Sequence, residues 1–343
     1  MSDTTTVRRG RAAVRTGDVV LETSDLRVSY GTPRGALYAV DGVDITLRAG
    51  ESLGIVGESG CGKSSMGRGL MQLLPPGGRV EGSVQLAGDE LVGSSASTLR
   101  RARGEDLALI FQEPMTRLDP LMRVAEHFVE AIRAHRPDVS RDRAREMGRE
   151  ALRSVGIPPT RIDDHPHQFS GGMRQRIMIA LGIVLEPMVV VADEPTTALD
   201  VIVEAQILDL LDDLRHQKAL GLILITHNLG IVAETCDRVA VMYAGRVVEV
   251  GPVEQVFNHP RHPYTQGLLG SVISLDTTEL TSIDGTPPDL VDPPSGCRFA
   301  PRCPKVFDDC HTTDPRLRRG APDHEVACLL DEAVAPAGEE VAR

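Results

Sequence analysis

Short, wholly apolar runs set the rhythm of this chain. Leu53-Gly54-Ile55-Val56, Val189-Val190-Val191-Ala192 and Leu222-Ile223-Leu224-Ile225 carry no polar side chain. Such runs predict strands buried on both faces, as in a parallel sheet. A helix predicted over residues 201–215 joins the last two into a βαβ unit. A second helix is predicted from Lys63 to residue 74, where Pro75-Pro76-Gly77-Gly78 stops it. Segments 19–21, 26–30, 43–47, 83–86 and 107–111 read as further strands. Residues 239–242 and 247–250 predict a hairpin around Ala244-Gly245. Between residues 114 and 185 the pattern turns helical, and residues 141–155 set many charges around a sparse apolar face. This stretch reads as a helical subdomain inserted into the sheet domain.

Past Gly251-Pro252 the texture changes. Prolines crowd together (Pro260, Pro263, Pro287, Pro288, Pro293, Pro294, Pro301, Pro304) and aliphatic periodicity fades. That shift places a domain boundary near residue 255. The expected organisation is a disordered Arg-rich tail over 1–18 and a sheet domain over 19–255 with its helical subdomain at 114–185. A C-terminal domain over 256–330 and a disordered acidic tail over 331–343 follow.

The chain has 343 residues, room for one large domain and an appendage. It is 41% hydrophobic but only 3% aromatic, with no Trp, so the core must be aliphatic. The net charge of −12 argues against nucleic acid as the main partner. No apolar run approaches the roughly 18–20 residues needed to cross a bilayer. The best candidate, 181–192, is broken by Glu186-Pro187. The basic start (Arg8, Arg9, Arg11, Arg15) lacks the apolar segment of a secretory signal. A cytoplasmic chain is expected, reaching a membrane only through a partner.

Gly57-Glu58-Ser59-Gly60-Cys61-Gly62-Lys63-Ser64 fits the phosphate-binding pattern G-x-x-x-x-G-K-[ST], between an apolar strand and a predicted helix. Its glycines let backbone N–H groups turn toward phosphates, and the helix N-terminus adds its dipole. Gly57, Ser59, Gly60, Cys61, Gly62, Lys63, Ser64 and Ser65 are the candidate ATP-binding residues of this loop. Lys63 is expected to reach the β/γ-phosphates and Ser64 to offer its hydroxyl to Mg²⁺. Asp193-Glu194 ends the apolar strand 189–192. Asp193 is the expected Mg²⁺-linked carboxylate, and Glu194 the general base on the attacking water.

These residues resemble the ATP-binding cassette (ABC) family of transporter ATPases, over residues 19–255 and with motifs in the family's order. The resemblance implies an α/β fold: a P-loop, RecA-like nucleotide-binding domain with a β-subdomain and an inserted helical subdomain. It implies that Tyr30 stacks on adenine, that Gln112 touches Mg²⁺ and the water, and that His227 contacts the γ-phosphate. Phe169-Ser170-Gly171-Gly172-Met173 is similar to the family signature, although the common form has Leu and Gln where Phe169 and Met173 stand. By resemblance, Ser170, Gly171 and Gly172 bind ATP held by a partner subunit, and Asp200, in Ala198-Leu199-Asp200, lies in the loop that crosses between subunits. ATP then joins two surfaces, and hydrolysis lets them part.

The segment from Gln112 through Pro114 to Pro120 is similar to that of the oligopeptide/dipeptide importer ATPases, where it faces the permease. His227 to Glu234, His259-Pro260-Arg261-His262-Pro263-Tyr264-Thr265 and Gly285-Thr286-Pro287-Pro288 extend this likeness toward residue 328. It implies a second ATPase subunit, favouring a paralogue, two permease subunits and an extracytoplasmic peptide-binding protein. The chain would then sit at the cytoplasmic face of the cell membrane and power peptide uptake. Nickel and other small-solute importers share much of the pattern, and a soluble, non-transport cassette ATPase is the reading from another class.

Six cysteines do not form a secreted disulfide framework here. Cys297, Cys303, Cys310 and Cys328 crowd into the Pro-rich segment, which is poor in apolar residues, and suggest a metal crosslink. Zinc usually takes a close C-x₂₋₄-C pair, which is missing. The loose spacing suits a larger cluster, and [4Fe–4S] is the favoured form, which the importer resemblance also implies. Zinc, disulfides and free thiols stay open as alternatives.

Overall fold

The structure, a computed structural model, describes residues 15–111, 117–197, 199–271, 283–321 and 323–331. Its strands are β1 (Val19–Thr32), β2 (Gly35–Arg48), β3 (Ser52–Val56), β4 (Gly78–Leu86), β5 (Asp89–Glu90), β6 (Leu107–Ile110), β7 (Val189–Asp193), β8 (Gly221–Ile225), β9 (Arg238–Tyr243), β10 (Arg246–Pro252), β11 (Arg318–Ala321) and β12 (His324–Val326). Its helices are α1 (Lys63–Leu70), α2 (Ala96–Glu105), α3 (Val124–His135), α4 (Arg141–Ser154), α5 (Gly171–Ile183), α6 (Val201–Lys218), α7 (Leu229–Thr235), α8 (Val253–Asn258), α9 (Pro263–Gly270) and α10 (Asp309–Thr312).

An antiparallel sheet in the order β2-β1-β4-β5 packs beside a larger one, β11-β12-β10-β9-β3-β8-β7-β6. In the larger sheet β9, β3, β8, β7 and β6 are parallel, and β10, β12 and β11 continue it antiparallel. The apolar runs explain its centre: every residue of β3, β7 and β8 is buried. The core is aliphatic, as composition requires, with Leu53, Ile55, Val189, Val191, Ile223 and Ile225 in one cluster. Helices α3, α4 and α5 form a second cluster around Phe128, Leu152 and Ile177. Among the described residues no helix is long and apolar enough to cross a membrane.

Two elements differ from expectation for visible reasons. The strands expected at 19–21 and 26–30 are one strand, β1, whose pairing shifts register between Thr23 and Leu26 around Asp25 at φ 50°. The helix expected to reach residue 74 ends at Leu70. Gln72 turns left-handed at φ 53°, while its N–H bonds the Gly69 carbonyl and the Leu73 N–H bonds the Arg68 carbonyl. This is a Schellman termination made with Gln in place of the usual glycine. Arg103 secures it, donating to the carbonyls of Met71 at 2.8 Å and Gln72 at 2.6 Å.

The Pro-rich residues beyond 255 pack on the end of this sheet. Tyr243 of β9, Tyr264 of α9 and Phe299 form an aromatic cluster with ring centroids 4.6–5.4 Å apart. These rings join Val56, Val239 and Val241 in a third apolar cluster. Beside it lies Glu249, wholly buried on β10. Its carboxylate accepts from the N–H groups of Arg261 at 2.8 Å and His262 at 3.0 Å, and meets His324 Nε2 at 2.8 Å. Burial would raise the Glu249 carboxyl, but these hydrogen bonds more than reverse it and hold it below its ordinary value.

His262 caps α9, its Nδ1 accepting from the Tyr264 N–H at 3.0 Å. Complete burial pushes its pKa from 6.5 down to about 4, although the Glu249 charge pulls the other way. The unfolded chain therefore takes up a proton below 6.5 that the folded chain resists until about 4. Stability is complete above that window and falls through it as pH drops. His262→Asn, which retains a capping oxygen, is expected to flatten the difference in urea midpoint between about pH 7 and about pH 5. An unchanged difference would show that His262 does not set the acid sensitivity.

Candidate functional site: a nucleotide pocket at the carboxyl ends of the parallel strands

The carboxyl ends of β3, β7 and β8 meet at one place, the position where parallel α/β sheets bind ligands. The loop after β3 closes there because nothing but glycine fits at its two ends. A Cβ on Gly57 would stand 2.2 Å from the Met242 carbonyl oxygen, and one on Gly62 would stand 2.0 Å from that of Ala39. Both also have left-handed φ values, 151° and 110°. The loop is thus wedged between β9 and β2, and its helix α1 begins at Lys63.

A cavity of about 580 Å³ opens over this loop, lined by Tyr30, Leu37, Ala39, Ser59, Gly60, Gly62, Lys63, Ser64, Ser65, Glu194, His227 and Leu290. Lys63 is largely buried and its Nζ donates to the carbonyls of Gly57 at 2.7 Å and Glu58 at 3.1 Å. A phosphate can take the place of those carbonyls as the ammonium's partner. Ser64 Oγ donates to Asp193 Oδ1 at 2.9 Å. Burial raises the Asp193 carboxyl above its ordinary value, outweighing the Ser64 hydrogen bond. A hard hydroxyl oxygen beside a desolvated carboxylate fits Mg²⁺, which would supply charge neutralisation to the phosphates.

Glu194 follows at φ 45°, its N–H bonded to the Ile225 carbonyl at 2.8 Å. Thr197 Oγ1 donates to its Oε2 at 3.0 Å, and His227 Nδ1 lies 3.3 Å from its Oε1. Glu194 and His227 thus face the cavity as a pair. Tyr30 closes another side, its hydroxyl donating to Ser65 Oγ at 3.1 Å. Gly57 and Cys61 belong to the loop but do not line the cavity, and the Cys61 side chain is buried among core residues. Gln112 lies outside the described residues.

Ser170, Gly171, Gly172 and Asp200 do not line this cavity. Ser170 caps α5, accepting from the Met173 N–H at 3.4 Å, and Asp200 caps α6, accepting from the Val203 N–H at 3.0 Å. Gly171 lies against Leu199, so the two caps form a separate, exposed surface.

The structure gathers Cys297, Cys303, Cys310 and Cys328. Burial pushes the Cys297 thiol up to about 11, with Cys310 and Cys328 adding to the rise. Cys303 and Cys328 rise for the same first reason and feel one another or Cys310. Among the described residues, however, no group of three His, Cys, Asp or Glu side chains is placed to hold a metal ion. The geometry therefore does not support the expected [4Fe–4S] cluster.

Sequence reasoning missed Leu37, Ala39 and Leu290. The first two follow once β1 and β2 are seen to pair. Leu290 carries no local signal; it reaches the cavity because its carbonyl accepts from the Tyr38 N–H at 3.2 Å.

A glycine-wedged phosphate loop, a buried aspartate and a Glu–His pair at the end of a parallel sheet define a P-loop ATPase. Residues 40–197 match the ABC transporter family model, and residues 248–310 match the oligopeptide/dipeptide transporter C-terminal region. The chain is 46% identical to the dipeptide transport ATP-binding protein DppD of Bacillus subtilis, over 91% of this chain and 95% of that one. It is 46% identical to the oligopeptide transport ATP-binding protein OppD of Salmonella typhimurium, over 92% and 95%. The dimeric, ADP- and Pi-bound ATP-binding cassette MJ0796 superposes with a TM-score of 0.60 at 25% identity, over 68% of this chain and 98% of that one. The chain belongs to the ABC transporter ATPases and carries the oligopeptide/dipeptide transporter C-terminal region.

Lys63→Ala removes the one Lys or Arg side chain lining the cavity among the described residues. Titration with labelled ATP is expected to show binding weakened by about tenfold or more, the worth of a charge-assisted hydrogen bond. Wild-type affinity would mean that the nucleotide binds elsewhere.

Proposed function

We propose that this chain hydrolyses ATP as one subunit of an importer for di- or oligopeptides. It would work at the cytoplasmic face of the cell membrane beneath two permease subunits, beside a second ATPase subunit and with an extracytoplasmic peptide-binding protein. The observation that carries this reading is the C-terminal match to the oligopeptide/dipeptide transporter region, together with 46% identity to DppD and OppD along nearly the whole chain.

In this reading Lys63 and the loop amides hold the β/γ-phosphates, Ser64 and Asp193 hold Mg²⁺ with Gln112, and Tyr30 stacks on adenine. Glu194 accepts a proton from the attacking water, and His227 orients the γ-phosphate. Ser170, Gly171 and Gly172 cap ATP held by the second subunit, near Asp200. Closing the pair over nucleotide and releasing it after hydrolysis drives the permease.

In the complete transporter, peptide-loaded binding protein is expected to raise ATPase activity severalfold over the unloaded protein. Stimulation by a nickel-loaded binding protein alone would move the substrate assignment to metal import. Glu194→Gln is expected to bind labelled ATP as the parent does while hydrolysis falls about a hundredfold or more, the scale of a lost general base. Parent-like turnover in this variant would remove Glu194 from the role.

For the four cysteines we propose a [4Fe–4S] centre that would assemble on metal loading, since no ligand set is preformed among the described residues. Its support is the presence of four thiols in one segment poor in apolar residues, with the Cys297 N–H donating to the Cys310 carbonyl at 2.8 Å. Anaerobic purification is expected to yield about four iron and about four sulfide per chain. A colourless, zinc-loaded protein would contradict it.

A further inference from the structure

The phosphate loop carries an acid. Glu58 stands next to Ser59, which lines the cavity, and its main-chain carbonyl accepts from Lys63 Nζ at 3.1 Å, so this acid is part of the loop that faces a nucleotide's phosphates. An uncompensated carboxylate there would repel a polyanion and pull on the loop. The residue that answers it comes from far along the chain. Arg302 grips Glu58 with both ends of its guanidinium, Nη1 to Oε2 at 2.7 Å and Nη2 to Oε1 at 3.0 Å. This two-pronged geometry is the strong form of an arginine–carboxylate pair.

The arginine is itself immobilised. Its side chain is 4% exposed. Nε donates to the Asp284 carbonyl at 2.8 Å, Nη2 to the Ile283 carbonyl at 3.1 Å and Nη1 to the Tyr243 hydroxyl at 3.3 Å. Glu58 is held on its main chain too. Its N–H donates to the Tyr264 hydroxyl at 2.9 Å, and its carbonyl accepts from the Cys61 N–H at 3.2 Å. Leu290 adds a third contribution of the same region by lining the cavity.

We infer that Arg302 is a positioning residue of the ATP site: it neutralises Glu58 and fixes the outer half of the phosphate loop, so the C-terminal region sets ATP affinity. The inference rests on the ATP reading of this pocket and goes beyond it. The C-terminal region becomes a structural part of the nucleotide site as well as a family marker. A rigid loop binds better than one that must be ordered by its ligand, and removing one partner of a half-buried ion pair leaves the other charge uncompensated.

The test measures labelled-ATP affinity of the full chain in Arg302→Ala, Glu58→Gln and the double variant. Arg302→Ala is expected to weaken binding by about tenfold, the scale of one such charged hydrogen bond. Glu58→Gln alone is expected to change it by less than about threefold, since it removes the acid that Arg302 serves to neutralise. The double variant is expected to recover most of the loss, because the offending carboxylate is gone. A purely structural role for Arg302 would lower thermal stability and active fraction without any rescue by Glu58→Gln. Unchanged affinity in Arg302→Ala, or losses that simply add in the double variant, would overturn the inference. If Arg302→Ala fails to fold, Arg302→Lys keeps the charge but forfeits the two-pronged grip. It should bind labelled ATP more weakly than the parent, and Glu58→Gln/Arg302→Lys should recover toward the parent; equality of Arg302→Lys with the parent would count against the inference. Lys63→Ala is the control: if it too binds normally, the pocket reading fails, and if it alone loses binding, only the role of Arg302 fails.

Discussion

The whole site depends on how little room the phosphate loop is given. Two backbone carbonyls, on Met242 and Ala39, stand so near Gly57 and Gly62 that neither position can carry a side chain. Those carbonyls belong to β9 and β2, strands from two different sheets. The loop therefore takes its shape only when both sheets have formed and met. Lys63, at the loop's end, then enters α1 with its ammonium turned back over the loop, and Ser64 falls within reach of Asp193 on β7. Strand order places the rest: β7 and β8 lie side by side, so Glu194 at the end of one meets His227 just past the end of the other.

The C-terminal region extends this logic. It has few aliphatic residues, but it brings Tyr264 and Phe299 against Tyr243, in a chain with only six Phe and four Tyr. Glu249 gives the same contact a polar core, wholly buried and satisfied by two main-chain N–H groups and His324. Through β12, paired antiparallel to β10, the region continues the sheet that carries the phosphate loop. Arg298 and Arg302, next in sequence to Cys297 and Cys303, ion-pair with Asp41 on β2 and Glu58 in the loop. The cysteine-bearing loop is thus tied to β2 and to the phosphate loop, both of which contribute residues to the nucleotide cavity.

What the sequence made legible was whatever is encoded locally. Apolar runs mark β3, β7 and β8 because a strand buried on both faces leaves no alternation to misread. The phosphate loop is legible because its glycines answer a steric demand at fixed spacing. The early end of α1 was hidden because Gln72 adopts a conformation usually left to glycine, and Arg103, distant in sequence, helps secure it. The α9 cap was hidden because a histidine makes it. Leu290 and Arg302 were invisible for a related reason. Each acts through contacts with residues more than two hundred positions away, and neither stands in a pattern with periodicity or a motif. The four cysteines were legible as a cluster, and the structure does gather them, but spacing alone said nothing about whether their thiols converge on a metal.

In the proposed function, ATP chemistry falls on two faces of the chain, the cavity around Lys63 and the separate surface at Ser170. The most direct test is Ser170→Arg, made here and at the matching serine of the second ATPase subunit. Labelled-ATP binding by the isolated chain should be unchanged, because Ser170 lines no part of its own cavity. Hydrolysis by the assembled transporter should fall by about tenfold or more, as when a group contacting the reacting phosphate is lost. Parent-like hydrolysis in that assembly, or loss of ATP binding by the isolated chain, would contradict the two-face account.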